Sequence, residues 1–119
     1  MIEKVLRDLH DAGYEEARVF GQRPNIVDVL VPGFVLPPES CMQATADIVL
    51  PLPTTFPSSA PYGFFAMTSI TKRQGTWRNV SKAEPYAAAD FFSRKCPVWD
   101  QTKHDVVTYL GFVNGWLTS

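Results

Sequence analysis

The chain has 119 residues, 45% of them apolar, enough for one packed core and too few for two. Eleven basic and 12 acidic residues leave a net charge of −1, which argues against the basic surface of a nucleic-acid binder. No apolar run approaches the roughly 18 residues that span a bilayer, and Met1-Ile2-Glu3-Lys4 lacks the layout of a signal peptide. The expectation is one cytoplasmic domain over residues 1–119, with neither nucleic acid nor membrane as a partner.

Residues 2–12 read as an amphipathic helix. Ile2, Val5, Leu6 and Leu9 recur at helical spacing, with Glu3, Lys4, Arg7 and Asp8 on the other side. Gly13 is a stop signal. A strand-rich half follows. Residues 17–20 form a short strand, 21–25 carry turn chemistry, and Ile26–Val31 is β-branched and apolar. Pro32-Gly33 is expected to break that strand before Phe34-Val35-Leu36. Residues 46–50 and 62–67 supply two more strands, giving an antiparallel meander of about four.

Eight of the 10 prolines lie between Pro24 and Pro61. Proline cannot donate to a sheet ladder, so residues 51–61 read as an ordered, extended surface loop anchored by Phe56. Residues 71–82 are polar and poorly patterned, with Gly75 in a turn and Trp77 packed inward. Residues 86–93 read as a short helix after Pro85, and 93–100 as a loop. Residues 103–117 show the widest apolar stripe: Val106, Val107, Leu110, Val113, Trp116 and Leu117. Thr102 and Asp105 have capping-box spacing. Gly111 and Gly115 weaken this helix by about 1 kcal/mol each, and close packing on the sheet is the expected reason for them.

Chemistry-bearing motifs are few. Two cysteines, Cys41 and Cys96, are too sparse for a disulfide scaffold. With His10 and His104 they form no zinc-ligand spacing, so no metal is expected. G-x-x-x-x-G-K-[ST], G-x-G-x-x-G and G-x-S-x-G are all absent, so no nucleotide cofactor and no serine-hydrolase elbow are expected. Cys96 lies in a polar loop beside Arg94 and Lys95, and cations there favour the thiolate. The bland alternative is a packed hydrophobe. His104 falls at a helix start, where the dipole disfavours a cation and suits a neutral base; the plainer reading is a solvated end residue. A cysteine hydrolase would pair Cys96 with a histidine and an orienting carboxylate, for which Asp100 and Asp105 are the local candidates. Cys41 reads as structural.

The order of elements resembles the ubiquitin-conjugating (UBC-like) superfamily. Ile48-Val49-Leu50-Pro51-Leu52-Pro53 leading to Phe56-Pro57-Ser58-Ser59-Ala60-Pro61 looks like its third strand and proline loop. Tyr62–Met67 stands in the place of its fourth strand. Cys96-Pro97-Val98-Trp99 before Asp105–Leu110 looks like its active-site cysteine, the tryptophan after it and the helix behind it. The spacing Trp77-Arg78…Ser81 and Phe92-Ser93-Arg94…Trp99…Asp105 is similar to the bacterial group called prokaryotic family E.

The resemblance implies an α+β fold: an N-terminal helix, a four-stranded antiparallel meander and a C-terminal helix packed on the sheet. It implies a transferase carrying a ubiquitin-like protein as a Cys96 thioester, in an antiphage defence operon. The partners would be that ubiquitin-like protein, an activating enzyme and a JAB-type deubiquitinase. The activating enzyme would dock on the first helix through Glu3, Lys4, Arg7 and Asp8. The family's His-Pro-Asn tripeptide is absent, and Asn79, 17 residues before Cys96, is the nearest stand-in for its asparagine. That departure leaves open an inactive UBC-like binding module for a ubiquitin-like or other partner.

Overall fold

The alternating, proline-punctuated stretch between residues 18 and 66 folds into an antiparallel sheet in the computed structural model, which describes residues 1–118. The elements are α1 (Ile2–Asp11), β1 (Arg18–Arg23), β2 (Ile26–Val35), β3 (Thr45–Pro53) and β4 (Phe64–Ala66). Two short strands, β5 (Val80–Ser81) and β6 (Asp90–Phe92), precede α2 (Val106–Thr118). The architecture is α+β, as expected. The sheet has six strands rather than four, in the order β1-β2-β3-β4-β6-β5.

The extra pair corrects the expected helix over 86–93. Residues 86–89 make a turn closed by the Ala89 N–H on the Tyr86 carbonyl at 2.9 Å. Asp90–Phe92 then pair along the edge of β4, with Phe64 opposite Phe92 and Phe65 opposite Phe91. The unpaired β4 edge and the stacked Phe64 and Phe92 rings, 4.7 Å apart, outweigh the local helix propensity of the alanines. Residues 80–81, within the stretch read as unpatterned, add β5 to β6.

Pro32-Gly33 does not break its strand. The β2–β3 register shifts between Val31 and Phe34, so the dipeptide forms a bulge inside one continuous β2. Gly33 takes a positive φ of 66° there, and its N–H is held by the Asp47 carboxylate at 2.9 Å. Pro51 and Pro53 likewise belong to β3, opposite Asp28 and Ile26 of β2. Their missing N–H groups are tolerated because β4 pairs with β3 only at Ile48 and Val49. The loop proper runs from Thr54 to Pro61, and Phe56 anchors it, 4% exposed.

Both helices pack on one face of the sheet. Val5 and Leu9 of α1 and Val106, Tyr109, Leu110, Val113 and Leu117 of α2 join Val29, Val31, Ile48, Leu50, Phe64 and Phe92 in the main core. Alternate residues Leu30, Val49 and Phe65 point to the other face. There Tyr86 and Ala89 of the turn before β6, with Phe91 of β6 itself, cover them.

That turn is fastened by the one fully buried charge among the described residues, Asp28. Arg23 donates to both its oxygens, at 2.9 and 2.7 Å, and the Tyr86 hydroxyl donates to Oδ2 at 2.7 Å. A carboxylate taken out of water needs this pairing.

The start of α2 also differs in detail. The cap is Asp105, whose Oδ1 accepts the Thr108 N–H at 3.0 Å, and Thr108 Oγ1 accepts the Asp105 N–H in return. Thr102 is engaged with Asp100 instead. A Cβ on Gly111 or Gly115 would meet nothing within 4 Å, and both are exposed. Close helix–sheet packing is therefore not the reason for either glycine.

Burial and the Asp28 bond push the Tyr86 phenol up to about 12, from the usual value near 10. The folded state keeps a proton that the unfolded chain releases, so Tyr86 contributes stability that is intact below pH 10 and lost as pH rises through 12. Urea unfolding between pH 9 and 12 is expected to show stability falling with pH. The fall should be shallower in Tyr86→Phe; equal slopes would show that the Tyr86 phenol does not contribute to it.

Candidate functional site

The segment from Ser93 to Asp105 carries most of the residues that the sequence singles out. Backbone bonds seat its start. The Ser93 N–H donates to the Asn79 carbonyl at 2.9 Å, and the Gly63 N–H donates to the Arg94 carbonyl at 2.8 Å. Trp99 seats its middle. The indole N–H donates to the Pro57 carbonyl at 2.8 Å, and the ring lies 5.7 Å from Phe56 and 6.3 Å from both Tyr109 and Phe112. Trp99 thus pins the loop to the proline turn and to α2.

Cys96 is half-buried, and burial alone pushes its thiol up from the ordinary range. No cation offsets that desolvation. The Arg94 guanidinium, close in sequence, turns to the Ser93 and Asn79 carbonyls. Cys96 hydrogen-bonds to none of the described residues. This is the environment of a packed thiol rather than of an activated one.

His104 lies two residues before α2, not inside it. Its ring Nδ1 accepts the Asp100 N–H at 3.0 Å, and the His104 backbone N–H donates to the Asp100 carbonyl at 2.8 Å. Its ring meets Trp99 edge-on at 5.2 Å. With Nδ1 accepting, the proton of a neutral ring sits on Nε2. No hydrogen bond joins His104 to Cys96 among the described residues.

The two local carboxylates are also occupied. Asp100 is held below the usual range by the Thr102 hydroxyl and N–H. Asp105 is held low by the Thr108 N–H at the helix start. Neither orients the imidazole through its carboxylate. The Cys–His–carboxylate arrangement of a hydrolase is not assembled here.

Asn79 sits elsewhere. It is exposed, takes a positive φ of 53°, and uses its carbonyl on Ser93 and Arg94. It lines a recess of about 400 Å³ with Lys72, Trp77, Arg78, Arg94 and Trp116. The sequence reading missed this recess. Its basic and aromatic members come from three separated segments, so spacing gives no signal for it.

On α1, Glu3, Lys4 and Arg7 are exposed, and Lys4 pairs with Asp8 one turn on. A cleft of about 220 Å³ separates this helix from the loop before α2, between Lys4 and Asp8 on one wall and His104 on the other. Cys41 is fully buried beneath α2, and Ser40 beside it donates to the Leu117 carbonyl at 2.5 Å. Burial raises the Cys41 thiol as well. No group of three or more His, Cys, Asp or Glu suited to a metal ion occurs among the described residues.

Alkylation of Cys96 by iodoacetamide is expected to be slow at pH 7, with a midpoint above that of a free thiol, near 8.5. Cys41 should react only on unfolding. A Cys96 midpoint below 8, measured by mass spectrometry across pH, would contradict the packed-thiol reading.

Comparison of the chain with protein-family models, with curated proteins and with solved structures finds no match.

Proposed function

We propose that this chain is a UBC-like binding module that holds a ubiquitin-like protein without forming a covalent bond to it. The order of helix, antiparallel strands, cysteine loop and second helix supports the UBC-like part of this reading. The observation that carries the non-covalent part is the state of the cysteine loop. His104 Nδ1 is spent on the Asp100 backbone, and Cys96 has neither a base nor a cation on its sulfur. A thioester carrier needs an attacking thiolate, and nothing around Cys96 favours one. Asn79, turned to a different recess, does not supply the oxyanion support that the His-Pro-Asn asparagine gives in the resembled family. The exposed charges Glu3, Lys4 and Arg7 on α1 offer a mixed, salt-sensitive contact surface.

A second reading is the carrier itself, acting in antiphage defence with an activating enzyme and a JAB-type deubiquitinase. It is favoured by the half-open position of Cys96 in the loop before α2. In that chemistry the Cys96 thiolate attacks the thioester carbonyl on the activating enzyme. A new thioester forms on Cys96, and the enzyme's thiol leaves.

One experiment separates the two readings. The chain, a bacterial ubiquitin-like protein, its activating enzyme and ATP are run on a non-reducing gel, and binding of the ubiquitin-like protein is measured in parallel. The binding reading predicts association that survives Cys96→Ala, and no thiol-labile band while the activating enzyme itself is charged. A thiol-labile band that disappears in Cys96→Ala and persists in Cys41→Ala would establish the carrier.

A further inference from the structure

The recess beside β5 and the C-terminal half of α2 gathers three cations and two indoles. Lys72, Trp77, Arg78, Asn79, Arg94 and Trp116 line its roughly 400 Å³. No carboxylate lies among the lining residues, and none of the three cations forms an ion pair among the described residues. The chain as a whole is slightly acidic, so this concentration of positive charge is local.

Lys72 and Arg94 are placed rather than loosely solvated, while Arg78 is exposed at the rim. The Lys72 ammonium lies over the Trp77 ring, 5.0 Å from its centroid, and the Arg94 guanidinium lies 5.5 Å from the Phe92 ring. Trp77 is itself fixed by its indole N–H on the Ile70 carbonyl at 2.8 Å. Arg94 is half-buried, and Nη1 alone meets protein, at the Ser93 and Asn79 carbonyls. Its Nε and Nη2 donors have no partner among the described residues. Burial lowers the Arg94 pKa, the mark of a guanidinium that gives up water without gaining an anion. Folding therefore holds ready a fork of unused donors beside two further cations. That is the geometry that takes a multiply charged oxyanion.

We propose that this recess binds a small aromatic phosphomonoester, its phosphate between Arg94, Lys72 and Arg78 and its ring against Trp77 or Trp116. Three uncompensated cations favour a phosphate dianion over a single carboxylate, which would leave two of them unmatched. The indoles supply an apolar, stackable wall. A ring and a phosphate together fit a cavity of this size. The inference is independent of the proposed partner, because none of the six residues lies on α1 or in the Cys96–His104 stretch.

The test is a titration of the isolated chain, followed by tryptophan fluorescence and amide chemical shifts, at low salt where exposed charges are least screened. The probes are phenyl phosphate, adenosine monophosphate, O-phosphotyrosine, inorganic phosphate and benzoate. Saturable binding is expected for the aromatic phosphates, with shifts at Trp77, Asn79 and Arg94, and weaker binding of inorganic phosphate and of benzoate. The preference between adenosine monophosphate and O-phosphotyrosine identifies whether a nucleotide or a phosphorylated tyrosine is the source. Arg94→Gln should weaken binding about tenfold, the scale of one charge-assisted contact. Lys72→Gln, whose side chain closes no backbone bond, provides a second variant should Arg94→Gln fail to fold. Lys103→Gln, on the α1 cleft, should change nothing. No saturation, benzoate binding as tight as phenyl phosphate, or equal loss in Lys103→Gln would overturn the proposal.

Discussion

The peptide at Gly63 joins the sheet, the cysteine loop and α2. Its carbonyl accepts the Tyr109 hydroxyl at 2.6 Å, and its N–H donates to the Arg94 carbonyl at 2.8 Å. Its φ is 68°, and a Cβ there would run into the Phe92 carbonyl. Only glycine meets both conditions. Tyr109 is fully buried, and burial pushes its phenol up, which favours the protonated, hydrogen-bond-donating form. A buried hydroxyl without a partner is costly, so this bond fixes where α2 sits along β4 and β6. Trp99 and Trp116 pack edge-on to the same ring, at 6.3 and 5.7 Å. Through Tyr109, the cysteine loop and the wall of the cationic recess rest on one support.

The opposite face of the sheet depends on a different bond set. Asp28 ties β2 to β1 through Arg23 and to the turn before β6 through Tyr86. Gly21 leaves room for this arrangement, since a Cβ there would lie 2.7 Å from the Tyr86 hydroxyl. With both ends of β6 held, one through Tyr86 and one through the Arg94 carbonyl, its three residues stay paired despite their number. That pairing sets the path of residues 93–105, and hence what Cys96 and His104 can reach. The geometry of this loop is thus governed by positions far from it in sequence.

Much of the fold could be read from periodicity. The α1 stripe, the apolar runs that became β2, β3 and β4, and the α2 stripe each lie within a few residues of their expected places. The errors share a cause. Pro32-Gly33, Pro51 and Pro53 look like strand breakers locally, yet the sheet absorbs them where a bulge or a missing neighbour removes the need for an N–H. Tyr86–Ser93 looks helical locally, yet β4 offers an edge that a short strand can satisfy. At the site, the basic and histidine neighbours of Cys96 were visible, but their direction was not. Arg94 points to backbone carbonyls and His104 to its own turn. The recess assembles residues 72–79, 94 and 116, a juxtaposition that no single segment announces.

The Gly63–Tyr109 bond holds the cysteine loop and α2 in one arrangement. Hydrogen exchange in Tyr109→Phe, under native conditions, tests it most directly. Removing the hydroxyl leaves the Gly63 carbonyl without its partner, at a cost of about 1–3 kcal/mol. The amides of Gly63 and Ser93, which donate to Arg94 and Asn79, should then exchange about tenfold faster or more. Amides in the β1–β2 ladder should lose less. Uniform acceleration across the sheet, or none at all, would contradict the claim.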